Sequence, residues 1–111
     1  MKDYTMNIGL ENNPFKANVI PFMVAKKIGN LNRIASRVNV GEWDGKPERT
    51  IVLSFECNKS NAEMVSIITD LCVQFTQDAI PFKSSDYTAL VYNPDYKSEK
   101  YIFDPNFYID Y

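Results

Sequence analysis

Between Ser60 and Phe75 the chain spells out both the start of a helix and the face it must bury. Ser60-Asn61-Ala62-Glu63 has the form of a capping box. The Ser hydroxyl can accept from the Glu63 amide while the Glu carboxylate reaches back to the amide of Ser60. Behind it Met64, Ile67, Ile68, Leu71, Cys72 and Phe75 recur at the three- and four-residue spacing that puts them on one side of a helix. A helix with one apolar stripe needs a layer to cover it, and the segments on either side alternate as strands do. The expected fold is therefore α+β: about four strands in a mainly antiparallel sheet, the 60–75 helix packed on one face, and a short N-terminal helix.

The strands are read from period two. From Arg33 to Trp43, Ile34, Ser36, Val38 and Val40 fall on one side and Ala35, Arg37 and Asn39 on the other. Asp44-Gly45-Lys46-Pro47 supplies turn residues, and Thr50 to Glu56 resumes as a strand with Ile51, Leu53 and Phe55 facing the core, so a β-hairpin is expected. After the helix, Thr76-Gln77-Asp78 forms a tight link to Ala79-Ile80-Pro81-Phe82. Pro81 lacks a ladder donor and places this strand at a sheet edge or a strand end. Lys83 to Asp86 is a polar turn, Tyr87 to Tyr92 a further strand, and Lys100 to Phe103 a candidate last one.

Residues 1–17, with Gly9, Asn12, Asn13 and Pro14, show no sustained period and read as an N-terminal arm or irregular strand. Asn18 is a candidate cap for a helix from Val19 to Ile28, with Pro21 in the first turn where a helix tolerates it, Ile20, Val24 and Ile28 on the buried side, and Gly29 as the stop. A strand interrupted by Pro21 is the alternative for Val19 to Val24. No repeat or linker divides the 111 residues, so one domain is expected, closed by an aromatic tail over 96–111.

Composition narrows the chemistry. The chain has no histidine, which removes the commonest general base and metal ligand. Its four glycines are scattered and open no phosphate-binding loop. Cys57 and Cys72 match no zinc spacing and read as buried, reduced thiols, Cys72 as packing and not as a nucleophile. Glu42, Asp44 and Glu48 cluster about the hairpin turn, where solvation of the turn explains them more simply than a bound cation. No cofactor or metal is implied. A formal charge of −2 with both signs interspersed gives little support to phosphate recognition, so nucleic acid is not expected as a partner. No segment is apolar enough to span a bilayer and Met1 to Thr5 lacks the apolar run of a signal peptide. A cytoplasmic location, that of the host if the protein is viral, is the expectation.

Aromatic residues, at 14%, are the conspicuous excess; most are expected to fill the small core, and any left outside would favour a binding surface. Two regions stand out as partner-binding candidates. One is the hairpin tip with Glu42, Trp43 and Asp44, where an exposed Trp would anchor a contact and a Trp folded over the sheet would cap the core. The other is the tail with Phe103, Phe107, Tyr108 and Tyr111, too apolar to stay in water, which packs either on its own domain or on another chain. Tyr87, Tyr92, Tyr96 and Tyr101 are the candidates for the alternative, a pocket or subunit interface that stacks a nucleotide-like ring.

The run from Gly41-Glu42-Trp43 through Thr50 to Phe55, the helix, and Gln77-Asp78-Ala79-Ile80 resembles small uncharacterised α+β proteins of bacteriophages and mobile elements. The resemblance covers about half the chain and carries no catalytic motif. It implies an accessory viral protein that binds a host or viral macromolecule. Together with the residues above, it leads to the expectation of a noncatalytic protein-binding module, an accessory factor or host-defence inhibitor, with a protein partner and a tendency to form homo-oligomers.

Overall fold

The computed structural model describes residues 1–43 and 45–95. The order of elements is β1 (Lys2–Gly9), α1 (Ile20–Ile28), β2 (Leu31–Trp43), β3 (Lys46–Cys57), α2 (Asn61–Gln74), β4 (Ala79–Lys83) and β5 (Thr88–Tyr92). The strands form one five-stranded antiparallel sheet in the order β2-β3-β1-β4-β5. The α+β class is as expected, with one strand more than the four expected and with both helices present.

The additional strand is β1. What reads as an arm or an irregular strand is a regular one in the centre of the sheet, paired along its whole length with β3 from Lys2↔Cys57 to Gly9↔Thr50. Its period is in the residues: Tyr4, Met6 and Ile8 are fully buried on one face, and Thr5 and Asn7 occupy the other. The Tyr4 ring lies between Phe55 and Phe82, with centroids 6.0 and 6.3 Å away, and its hydroxyl donates to the Lys59 carbonyl at 2.6 Å. Tyrosine suits this position because the ring fills the core while the polar tip finds a backbone acceptor at its margin.

The helix start is the one written in the sequence. Ser60 Oγ accepts from Glu63 N and Glu63 Oε1 accepts from Ser60 N, each at 3.1 Å. Met64, Ile68, Leu71, Cys72 and Phe75 are buried in the same cluster as Leu53 and Phe55 of β3, so the stripe is covered by the sheet as expected. Burial of a side chain of this size stabilises by about 1.5–3 kcal/mol, which makes this cluster the dominant favourable contribution. α2 lies over β4 and β5, while α1 lies over β2 and touches α2, so both helices share one face of the sheet.

α1 buries Ile20, Val24 and Ile28 and stops at Gly29, whose φ of +92° is costly for any residue with a side chain. Asn18 is not its cap. The N-cap is Val19, already in a helical conformation because a preceding turn bonds Val19 N to Lys16 O at 3.1 Å, and it has no side-chain cap. β4 also departs from expectation. It lies inside the sheet and not at its edge, yet its ladder with β1 consists of Thr5↔Lys83 and Met6↔Phe82 only, so Pro81 sits just past the point where a donor would be needed. The candidate strand at Lys100 to Phe103 lies outside the described residues.

Candidate functional site

The sheet face away from the helices carries Thr5 and Asn7 from β1, Thr50 and Ser54 from β3, and Arg37 and Asn39 from β2. At one end of this face the β2–β3 hairpin, the end of β1 and the α2–β4 link enclose a cavity of about 200 Å³. Gly9, Glu11, Glu42, Glu48, Thr50 and Asp78 are on its wall.

Gln77 builds the floor. Although it stands in a polar link, its side chain is buried and bridges two elements: Oε1 accepts from Gly9 N at 2.9 Å, and Nε2 donates to Gly9 O at 3.2 Å and to Phe75 O at 2.9 Å. The amide thus satisfies the last residue of β1 and the C-cap residue of α2 together. The left-handed backbone at Thr76, φ +55°, lets the chain turn there. Gly9 lets two side chains pack on the strand: a β-carbon there would collide with the Glu48 carboxylate and stand 2.7 Å from Gln77 Oε1, so both side chains would have to shift.

The cavity is acidic. Glu48 is partly buried, and that burial, followed by the nearby charges of Glu11 and Asp78, pushes its carboxyl above the usual glutamate range. Arg49 pairs with Glu11 at 3.2 Å on the exposed side, and no lysine or arginine is among the described wall residues. Thr50 is only 7% exposed, and its Oγ1 has no hydrogen-bond partner among the described residues. The described residues contain no group of three or more His, Cys, Asp or Glu side chains arranged to hold a metal ion.

Of the residues singled out from sequence, Glu42 lines this cavity and Trp43 is the last residue of β2 beside it. Asp44, Phe103, Phe107, Tyr108 and Tyr111 lie outside the described residues, as do Tyr96 and Tyr101. Tyr87 and Tyr92 flank the two ends of β5 and do not converge. The Tyr87 ring packs on Phe82 with centroids 5.6 Å apart. Cys57 and Cys72 are both buried and free. Burial pushes the Cys72 thiol up to about 12, and its Sγ donates to Val91 O at 3.4 Å, an environment that suppresses the nucleophilic thiolate.

A second feature is the sheet edge formed by β2. Its ladder with β3 has one irregularity between Asn32 and Ala35, where Arg33 takes φ +54°, and then runs unbroken from Ala35 to Trp43. Val38 and Val40 point to the helix side but are 58% and 61% exposed, because the strand reaches past the helical layer. Phe22 of α1 is 76% exposed.

Fold and site together define a two-layer α+β protein with an acidic cavity at one end of its sheet and, among the described residues, a long unpaired edge strand that exposes Val38 and Val40. Comparison with protein-family models, with curated proteins and with solved structures finds no match to this chain. Among the described residues no helix is long and apolar enough to cross a membrane.

Proposed function

We propose that the protein is a noncatalytic protein-binding module, an accessory or inhibitor factor of the kind that bacteriophages encode, and that it takes its partner along β2. The observation that carries this reading is the exposed edge: thirteen residues of strand with one side unpaired among the described residues and valines turned to solvent. Proteins that do not use such an edge blunt it with short strands, proline, charge or bulges. β2 has its irregularity and its Arg33–Glu56 ion pair, 3.3 Å, at the first residues, and from Ala35 to Trp43 it carries only Arg37 and Glu42 as charges and no proline, with no further strand paired to it among the described residues. A partner strand added there gains backbone hydrogen bonds, while Ile34, Val38, Val40 and Phe22 offer apolar contacts that set its register. Glu42 and Trp43 stand at the far end of the same edge.

The test is capture of the partner from host extract with the full chain, followed by a binding measurement on the purified pair. Val38→Lys combined with Val40→Lys is expected to leave the circular dichroism spectrum and denaturation midpoint unchanged, because both side chains are exposed, and to weaken partner binding at least tenfold. Undiminished binding by this variant would refute β2 as the partner surface.

A further inference from the structure

We propose that β2 pairs with the β2 of a second copy of this chain, antiparallel and about a two-fold axis at Asn39, so that the two sheets run into one. The inference rests on the reading of β2 as an edge open to an added strand, and it names a second copy as an occupant that competes with the partner for that edge.

The direction of the backbone groups comes first. Pro47 has no N–H and stands opposite Glu42, so that pair occupies a non-hydrogen-bonded position of the ladder. The two kinds of pair alternate along antiparallel strands. The unbroken register back to Ala35 therefore turns the N–H and C=O of Glu42, Val40, Val38 and Ser36 away from β3. A hydrogen bond elsewhere fixes the same phase independently: the carbonyl of Arg49, which stands opposite Val40, accepts from Leu10 N at 2.9 Å, on the far side of β3 from β2. Every second residue of the edge thus offers a donor and an acceptor off the sheet, and no strand among the described residues takes them up.

The same residues fit a copy of themselves. About an axis at Asn39, Val38 faces Val40 of the second copy and Ser36 faces its Glu42, each relation occurring twice, with both backbone hydrogen bonds exchanged in every facing pair. Val38 and Val40 are exposed, and this register covers valine with valine. An axis at Val38 would set Val40 against Ser36, and one at Val40 would set Val38 against Glu42. The charges select the same arrangement. Arg37 is the one cation and Glu42 the one acid from Ala35 to Trp43, and Arg37 has no ion pair among the described residues. Antiparallel pairing brings Arg37 opposite Gly41 of the second copy, beside its Glu42 and in the lane of its Glu48. The two Arg37 residues stand four positions out of register, about 14 Å at about 3.4 Å per residue, beyond the roughly 8 Å over which exposed charges act at physiological salt. Ala35 to Trp43 is nine residues a side, against roughly 20–30 for a standard interface. Such a dimer exchanges with its monomer, and a partner strand can displace one copy.

The experiment is sedimentation equilibrium of the full chain between about 1 µM and 1 mM, combined with cysteine linkage. The average mass is expected to rise from one chain toward two with concentration, and to stay at one chain in the Val38→Lys, Val40→Lys double variant. Asn39→Cys reads the register. Residues that face each other at a non-hydrogen-bonded position stand about 4.5 Å apart at Cα, within reach of a disulfide, so Asn39→Cys should oxidise to a linked dimer and Arg37→Cys should not. The native Cys57 and Cys72 are buried and do not compete. A single-chain mass throughout, a dimer that persists in the lysine variant, or linkage of Arg37→Cys as fast as that of Asn39→Cys would overturn the proposal. A single-chain mass with partner capture that the lysine variant loses overturns self-pairing alone, whereas a single-chain mass with capture undiminished in that variant overturns the reading of the edge as well.

Discussion

Replacement of Gln77 by Ala tests whether one buried amide holds the middle of the sheet to the end of α2. The substitution removes three hydrogen bonds, those of Oε1 with Gly9 N and of Nε2 with Gly9 O and Phe75 O. Gly9 O keeps a partner in Asn13 Nδ2, 3.0 Å away, so the groups left without one are Gly9 N and Phe75 O. At about 1–3 kcal/mol for each stranded buried group, the range is about 2–6 kcal/mol. The adjoining cavity admits water, which offsets part of this, and about 2–4 kcal/mol is expected. Urea denaturation is the assay: the midpoint should fall with an unchanged slope, and the melting temperature should drop by roughly 10–20 °C. Gln77→Glu supplies the control for chemistry against volume. It preserves size but turns a carboxylate toward two carbonyls beside Glu48 and Asp78, so it should be at least as destabilising near neutrality and should recover in acid. A loss below about 0.5 kcal/mol for the Ala variant would show that the bridge contributes nothing beyond what a surface residue does.

Ser60→Ala is expected to cost about 1 kcal/mol of unfolding free energy through loss of the helix cap, measurable by the same denaturation. Glu48→Gln should raise the melting temperature. The carboxyl of Glu48 is held above its unfolded value, so the folded state binds its proton more tightly and loses stability as pH rises from the unfolded pKa through the folded one. The gain from Gln should therefore be full near pH 7 and shrink toward about pH 4, where the native carboxyl is protonated in both states. A gain independent of pH would remove the electrostatic explanation.

The parts of the fold legible in the sequence are those with a local cause. Ser60 and Glu63 cap each other across three residues, Pro21 and Gly29 bracket α1, and the β2–β3 hairpin follows from alternation around a turn. β1 carried a readable alternation from Tyr4 to Ile8, but it is short and runs into Asn12, Asn13 and Pro14, whose turn character dominates a wider window. Its central position depends on pairing with β3 and β4, a non-local choice that no window contains. The cavity was illegible for the same reason. Glu48 reads as a turn residue and Gln77 as part of a tight link, and only the pairing of Gly9 with Thr50 brings them together. Glu42 was found because it sits near the hairpin tip, and it is an exposed residue that lines the cavity. The exposure of Val38 and Val40 was hidden by the assumption that an alternating apolar face is a covered one.

The place of β1 in the strand order has a kinetic corollary. On either side of it lies a hairpin that can zip up by itself, β2 with β3 and β4 with β5, and among the described strands β1, the first of them to be synthesised, is the backbone seam between them. Gly9 meets the side chain that clamps it 68 residues downstream, so at about 5–20 residues per second a nascent chain carries that seam unstitched for on the order of 3–14 s.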